Sequence, residues 1–317
     1  MKFRTEVLLN SSEMKMGIQD KIFSIGSCFS TEMAELLEKG QLQTLNNPFG
    51  TVFNPYSINM ALQSICQLKY YTEEDLILYD EEMISLDHHS SFNSRDGLKT
   101  LQHINQNIEQ AHQFLKTAQW AIVTYGTAFI YEFLPQQKLV ANCHKIPNKF
   151  FQKRLLTHEE ILQSIQNTIQ FIRQMAGEKV QILFSISPVR HTKDGMMENQ
   201  WSKARLINAL HEVISEQPNC HYLPIYEIMM DDLRDYRFYK EDMIHPSRQA
   251  VNYIFEKFSN AYISEEAQAF MEENFKIHTA LNHKTNDANH PKHQAFLNKI
   301  KERITHQQTK VKHQLKF

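Results

Sequence analysis

A chain of 317 residues with 42% hydrophobic and 22% charged residues is long enough for one large α/β domain with a two-faced core, and its formal net charge of -2 supplies no overall field that would favour polyanions or membranes. Lys2, Arg4, Glu6, Glu13 and Lys15 interrupt the first twenty residues, leaving no apolar run of signal-peptide or transmembrane length, so a soluble cytoplasmic protein is expected. Cys28, Cys66, Cys143 and Cys220 are widely spaced with no C-x-x-C pair, which argues against a disulfide framework or a thiolate zinc site and for reduced thiols.

In chain order, strand-like runs at 21–25, 120–125, 180–186 and 221–223 alternate with segments of helical period. That alternation predicts a three-layer α/β sandwich around a mostly parallel sheet. After the first strand, Ser30 or Thr31 is placed to cap a helix with the apolar face Met33, Leu36 and Leu37, ended by Gly40. The polar, His-bearing stretch 76–96 reads as an insertion of loops or short strands above the sheet. Thr157 and Glu160 form a capping box ahead of Ile161, Ile165, Ile169 and Ile172, whose spacing lays a core-facing stripe along a helix. The stretch 249–258 reads as a further helix. The α/β domain is expected over 1–263. Residues 264–317 form a tail rich in His, Asn, Gln and Lys in which Phe296, Ile300 and Ile304 keep a helical rhythm, and a solvated, helical or partly disordered extension is expected.

Two segments carry residues suited to chemistry. The first strand runs through Ile25-Gly26-Ser27-Cys28 into a helix, which puts Cys28 at the carboxyl end of a parallel strand, where α/β sheets place their sites. A helix N-terminus there is expected to favour the thiolate; the bland alternative is a small buried cysteine filling space. Near the other end, Asp242-Met243-Ile244-His245-Pro246 places a carboxylate three residues before a histidine, able to accept the Nδ1 proton and leave Nε2 as a base. Taken alone, that segment reads first as a helix-capping loop with an exposed histidine.

Together these segments resemble a known family. Gly26-Ser27-Cys28-Phe29 looks like the signature of GSCFA proteins and overlays the G-D-S-L block of SGNH hydrolases with Cys28 at the serine, while Asp242 and His245 match the D-x-x-H block. Segments starting at Asn47, Tyr125, Asn142, Ser187 and Tyr226 extend the resemblance over roughly 1–260. It implies an SGNH-hydrolase-like, flavodoxin-like fold, with Cys28 as nucleophile, His245 as proton carrier and Asp242 orienting it. It also implies an oxyanion hole shared by the amides of Cys28 and Gly50 and an asparagine side chain. Here the third block is Gly126-Thr127-Ala128, so Ala128 stands where the asparagine would be, and losing such a donor typically costs about a hundredfold or more in rate.

Thr127, Asn142 and His144 are the candidate replacement donors, although Asn142 and His144 also suit turns. Ser27, His89, Arg190 and His191 join Asn142 and His144 as substrate-facing candidates, and Arg190 could clamp a carboxylate or phosphate or pin a loop. Adjacent histidines such as His88 and His89 beside Asp87 point apart on an extended chain, so neither a metal nor a cofactor is expected. The reading is a Cys-His-Asp hydrolase or acyltransferase for a small acyl or ester substrate. The rival is a binding protein on the same scaffold. A nucleic-acid or membrane partner is not expected, and the oligomeric state is left open.

Overall fold

The computed structural model describes residues 5–282 and 291–317, so Lys2 and Arg4 and the start of the basic stretch beyond His283 lie outside the described residues. In chain order the elements are β1 (Lys21–Gly26), α1 (Cys28–Lys39), β2 (Gln43–Asn46), α2 (Pro55–Gln67), β3 (Ile77–Tyr79), β4 (Glu82–Ile84), α3 (Gly97–Leu115), β5 (Trp120–Tyr125), β6 (Phe129–Phe133), β7 (Lys138–Val140), β8 (Phe151–Leu155), α4 (His158–Ala176), β9 (Gln181–Ile186), α5 (Met196–Ile214), β10 (Cys220–Leu223), α6 (Ile225–Glu227), α7 (Arg248–Tyr262), α8 (Glu265–Leu281) and α9 (Pro291–Gln308).

Five strands pair in parallel in the order β10-β9-β5-β1-β2. Their alternation decides the layers. Phe23 and Ile25 of β1, Ala121, Val123 and Tyr125 of β5, and Ile182, Phe184 and Ile186 of β9 face a core built with α2, α3, α4 and α5. Ile22, Trp120, Ile122 and Leu183 face the opposite core, with α1, α7 and α8. This is the expected three-layer sandwich, with the flavodoxin-like strand order whose direction reverses between β1 and β5. The Thr157–Glu160 capping box opens α4, and its isoleucine stripe is buried.

Three features were not foreseen. The edge strand β2 reads Gln-Thr-Leu-Asn and carries no apolar run. Residues β6, β7 and β8 form a separate antiparallel sheet in the order β7-β6-β8. The first helix starts at Cys28 with Ser27 at its N-cap, three residues before Ser30, and the Ser30 and Thr31 hydroxyls accept from Asn47 instead. The insertion at 76–96 is the hairpin β3–β4 followed by a short 3-10 turn, as expected of short strands.

The C-terminal extension is helical but not a solvated appendage. Ala267, Phe270 and Met271 of α8 belong to the core shared with α1, and Val311 and Leu315 join them. Asn274 donates to Gly40 O at 2.9 Å, and a Cβ at Gly40 would stand 2.6 Å from Met271. Gln41 is bonded through both ends of its amide to the backbone of Lys316. The His- and Lys-rich composition hid this docking because the buried apolar residues are few and scattered along a polar sequence. Among the described residues no helix is long and apolar enough to cross a membrane.

Removal of everything after Ile263 is therefore expected to lower the melting temperature sharply or abolish recoverable folded protein. Met271→Ala should by itself cost about 2–5 kcal/mol, the range for deleting a buried large side chain. Denaturant unfolding checks both, and unchanged stability in either would show that α8 contributes nothing to the core.

Candidate active site

The turn from β1 into α1 is built around contacts that only these residues satisfy. Gly26 has φ +147, and a Cβ there would lie 2.2 Å from Thr124 O on β5. Only glycine lets the two backbones approach so closely. The same Thr124 carbonyl accepts the Ser27 amide at 3.0 Å. Asn47 closes the turn from the other side: its Oδ1 accepts from Gly26 N at 2.8 Å, and its Nδ2 donates to Ser30 Oγ at 3.1 Å and Thr31 Oγ1 at 3.0 Å. Cys28 is thereby held as the first residue of α1, at the sheet's carboxyl edge and beside the point where strand order reverses.

The thiol does not behave as the helix position alone suggests. Burial raises the Cys28 pKa, and the opposing pull of its own amide and of Lys203 and Lys240 does not overcome that effect; Glu32 adds to the rise. Cys28 is therefore a protonated thiol at neutral pH, correcting the expectation of a favoured thiolate. Burial pushes Cys66, Cys143 and Cys220 up to about 11, with fewer cationic neighbours to offset it.

The Asp242–His245 pair is formed. His245 Nδ1 lies 2.7 Å from Asp242 Oδ2, while Asp242 Oδ1 accepts the amides of Ile244 at 2.8 Å and His245 at 3.0 Å. The His245 amide and ring and the Ile244 amide together hold the Asp242 carboxyl well below the usual carboxylate range. This loop is docked against α1. Lys240 N donates to His245 O at 2.7 Å, and Lys240 Nζ reaches Glu32 Oε1 at 2.8 Å. Glu32 lies four residues after Cys28 and so on the same face of α1. Among the described residues Cys28 and His245 share no direct hydrogen bond.

The expected oxyanion donors stand differently. Gly50 N donates to Asn47 O at 2.7 Å, and Thr127 N donates to Phe53 O at 3.0 Å. The Thr127 hydroxyl is shared between Ser202 Oγ and the Phe129 amide. Both residues are thus engaged in holding turns, and neither offers a free N–H in this conformation. Ala128 is fully buried in the core, with its amide donated to Ser202 Oγ at 2.7 Å, so the position gives no access to a cleft. What remains is the Cys28 amide, whose place in the first turn of α1 leaves it without an intrahelical acceptor.

Of the substrate-facing candidates, Ser27 is wholly buried beneath the turn and cannot touch a ligand. Asn142 Oδ1 accepts the His144 amide at 2.9 Å, and buried His144 bonds Ser85 O through Nε2 at 2.8 Å, so both pin the insertion rather than face a substrate. His89 caps a 3-10 turn through Nδ1 and packs its Cβ where a side chain at Gly50 would go. His191 sits edge-on to Phe53, its Nε2 is buried without a hydrogen-bond partner, and burial pushes its pKa down to about 3, which keeps the ring neutral. Arg190 stacks on Tyr239, 4.0 Å from the ring centroid, and its amide donates to Ile244 O at 3.2 Å beside the Asp242–His245 pair.

Sequence reasoning missed Lys203. It lies fully buried on α5 and donates to Gly126 O at 2.6 Å and Ser187 O at 2.7 Å, joining the carboxyl ends of β5 and β9. Burial pushes its pKa down to about 7, and interaction with Cys28 opposes that fall. The signal was present: Lys203 occupies the stripe of Asn199, Leu206, Leu210 and Val213, where a charge is out of place.

A family model described as GSCFA family matches residues 21–258. No curated protein matches the chain. Among solved structures, a DUF4886 family protein from Bacteroides uniformis is similar at 13% identity with a TM-score of 0.41, covering 84% of this chain and 97% of that one.

Iodoacetamide should label Cys28 before Cys66, Cys143 and Cys220, with a rate that climbs through pH 9, the thiol's ordinary value, instead of levelling near neutrality. Peptide mapping after timed labelling checks this, and a plateau below pH 7 would mean a preformed thiolate. Lys203 gives a second test. Its folded pKa of about 7 lies below the ordinary 10.5, so between those values the unfolded chain holds the proton that the folded one has released, and stability rises with pH across that window. Compared in a Cys28→Ala background, that rise should disappear in Lys203→Met; equal slopes would contradict the burial cost of the cation.

Proposed function

We propose that this chain, which belongs to the GSCFA family, is a cysteine-dependent acyl hydrolase or acyltransferase on an SGNH-hydrolase-like scaffold, with Cys28 as nucleophile, His245 as base and acid, and Asp242 as its orienting carboxylate. The observation that carries this reading is the 2.7 Å Asp242–His245 contact on a loop tied through Lys240 to the face of α1 that bears Cys28. As Sγ attacks the carbonyl carbon of an ester, the thiol proton passes to His245 Nε2. That proton then goes to the leaving alkoxide as the C–O bond breaks, leaving a thioester on Cys28. Water, or an acceptor hydroxyl or amine, attacks the thioester and gives its proton to His245, which hands it to Sγ as the C–S bond breaks and the thiol re-forms. Because the thiol starts protonated, His245 must take its proton during attack, which makes the base indispensable.

Charge on the oxyanion is met by the Cys28 amide and the N-terminal end of α1, within the positive field of Lys203 and Lys240. The absence of the scaffold's asparagine makes this a weaker hole, and the better leaving ability of a thiolate lowers the demand on it. The four free thiols fit a reducing compartment. A second reading, a binding protein that retained the cleft, is favoured by one observation: Gly50 and Thr127 are both engaged internally.

Turnover of an activated ester such as p-nitrophenyl acetate separates the two. Cys28→Ala and His245→Ala should each abolish it, and the double variant should be scarcely worse, because the two act as one unit. Asp242→Asn should retain an intermediate rate, since an amide holds the ring without stabilising the imidazolium. Hydrolysis no faster in the wild type than in these four variants would remove the catalytic reading and leave the binding protein.

A further inference from the structure

The loop after β9 and the segment 229–239 line an open cleft of about 250 Å³ whose residues include Arg190, Met230, Leu233, Arg234, Tyr236 and Tyr239. Arg190 is its distinctive member. The guanidinium stacks over Tyr239 at 4.0 Å and lies 5.3 Å from the Tyr236 ring centroid, and among the described residues no carboxylate pairs with it. The other charges of the cleft are already matched: Arg234 pairs with Asp231, and Asp235 lies 3.7 Å from Arg237 while capping its amide. One positive charge therefore faces the cleft unbalanced. Half-buried and lying over an aromatic ring, it retains a guanidinium, whose planar fork can bind an oxyanion through two parallel hydrogen bonds.

The cleft adjoins the catalytic loop. Arg190 N donates to Ile244 O, and Tyr239 forms a β-bridge with Pro246, so the cleft's own wall is bonded to the residues on either side of His245. Met230 and Leu233 give that wall an apolar stretch. From these contacts we infer that Arg190 is the recognition site for an anionic group on the substrate, and that the acyl compound handled at Cys28 carries a short aliphatic segment ending in a carboxylate or phosphate. The inference deepens the acyl-transfer reading and rests on it for the word substrate; the anion site itself rests on the cleft.

Binding can be measured without turnover, in the full chain carrying Cys28→Ala. Glutarate serves as the carboxylate probe and propyl phosphate as the phosphate probe, titrated calorimetrically at constant ionic strength. One of the two is expected to bind, and the one that binds identifies the headgroup. Arg190→Met should weaken it roughly tenfold or more, the loss expected for a hydrogen-bonded charge contact, and Arg190→Lys should recover part of that by restoring charge without the fork. Circular dichroism melts establish that the variants fold, and Arg234→Gln, whose charge is already paired, should weaken binding less than Arg190→Met. Failure of both probes to bind, or equal affinity in Arg190→Met and its parent, overturns the anion site. Binding that depends on Arg190, together with no ester turnover by the wild type, would leave the anion site standing and sink the catalytic reading instead.

Discussion

The close contact of Gly26 with the Thr124 carbonyl is the constraint from which the site follows. At Gly26 the chain leaves the sheet in a conformation only glycine allows, because a Cβ there would lie 2.2 Å from Thr124 O on β5. The chain gives its next amide to the same carbonyl and turns into α1. Asn47, reaching back from the loop after β2, satisfies the Gly26 amide and draws in two hydroxyls from the first turn of the helix. A buried backbone amide left unpaired there would carry a penalty of about 1–3 kcal/mol, so the clamp is part of the turn and not an accessory to it. Cys28 has its position because everything around it is fixed by backbone bonds.

Lys203 performs the corresponding task on the neighbouring strands. A lysine buried without a carboxylate is unfavourable unless its donors are satisfied, and the carbonyls of Gly126 and Ser187 satisfy two of them. Those carbonyls end β5 and β9, so the lysine gathers the sheet's carboxyl edge into one piece while holding positive potential near the thiol. Ser202 beside it takes the Ala128 amide and shares the Thr127 hydroxyl. This pair on α5 explains why the third block has no asparagine: the position has been drawn into the core and closed.

Burial therefore acts on the site in opposite directions. It raises the Cys28 thiol and lowers His191 and Lys203, so it pushes all three toward their neutral forms, Lys203 least completely, since its pKa falls only to about 7. Asp242 escapes this because it is exposed and accepts three hydrogen bonds. The Asp242–His245 pair thus sits toward solvent and the Cys28 thiol within the protein, a division consistent with the roles proposed for His245 and, at the border between them, for Arg190.

Much of the fold was legible because periodicity is a direct record of burial. The alternating faces of β1, β5 and β9, the isoleucine stripe of α4 and its Thr157–Glu160 cap are all local patterns, as are Cys28 at a strand end and the three-residue spacing of Asp242 and His245. What local patterns do not carry is which hydrogen bonds are already taken. Gly50 and Thr127 have the right residue types for an oxyanion hole, yet Asn47 and Phe53, distant or merely nearby in sequence, accept their amides. His144 and Asn142 looked like site residues because both are polar, and only the docking of the insertion shows them bonded inward. The tail misled in the same way: Phe270, Met271, Val311 and Leu315 are sparse in a polar sequence, and only the packed face of α1 gathers them into a core. Sequence determined the strands, the helices and the residue types at the reactive turn, because those depend on spacing along the chain. Tertiary structure decided the ionisation of Cys28, the burial of Ala128 and the free charge on Arg190, because each depends on which partners the fold brings near and which it keeps away.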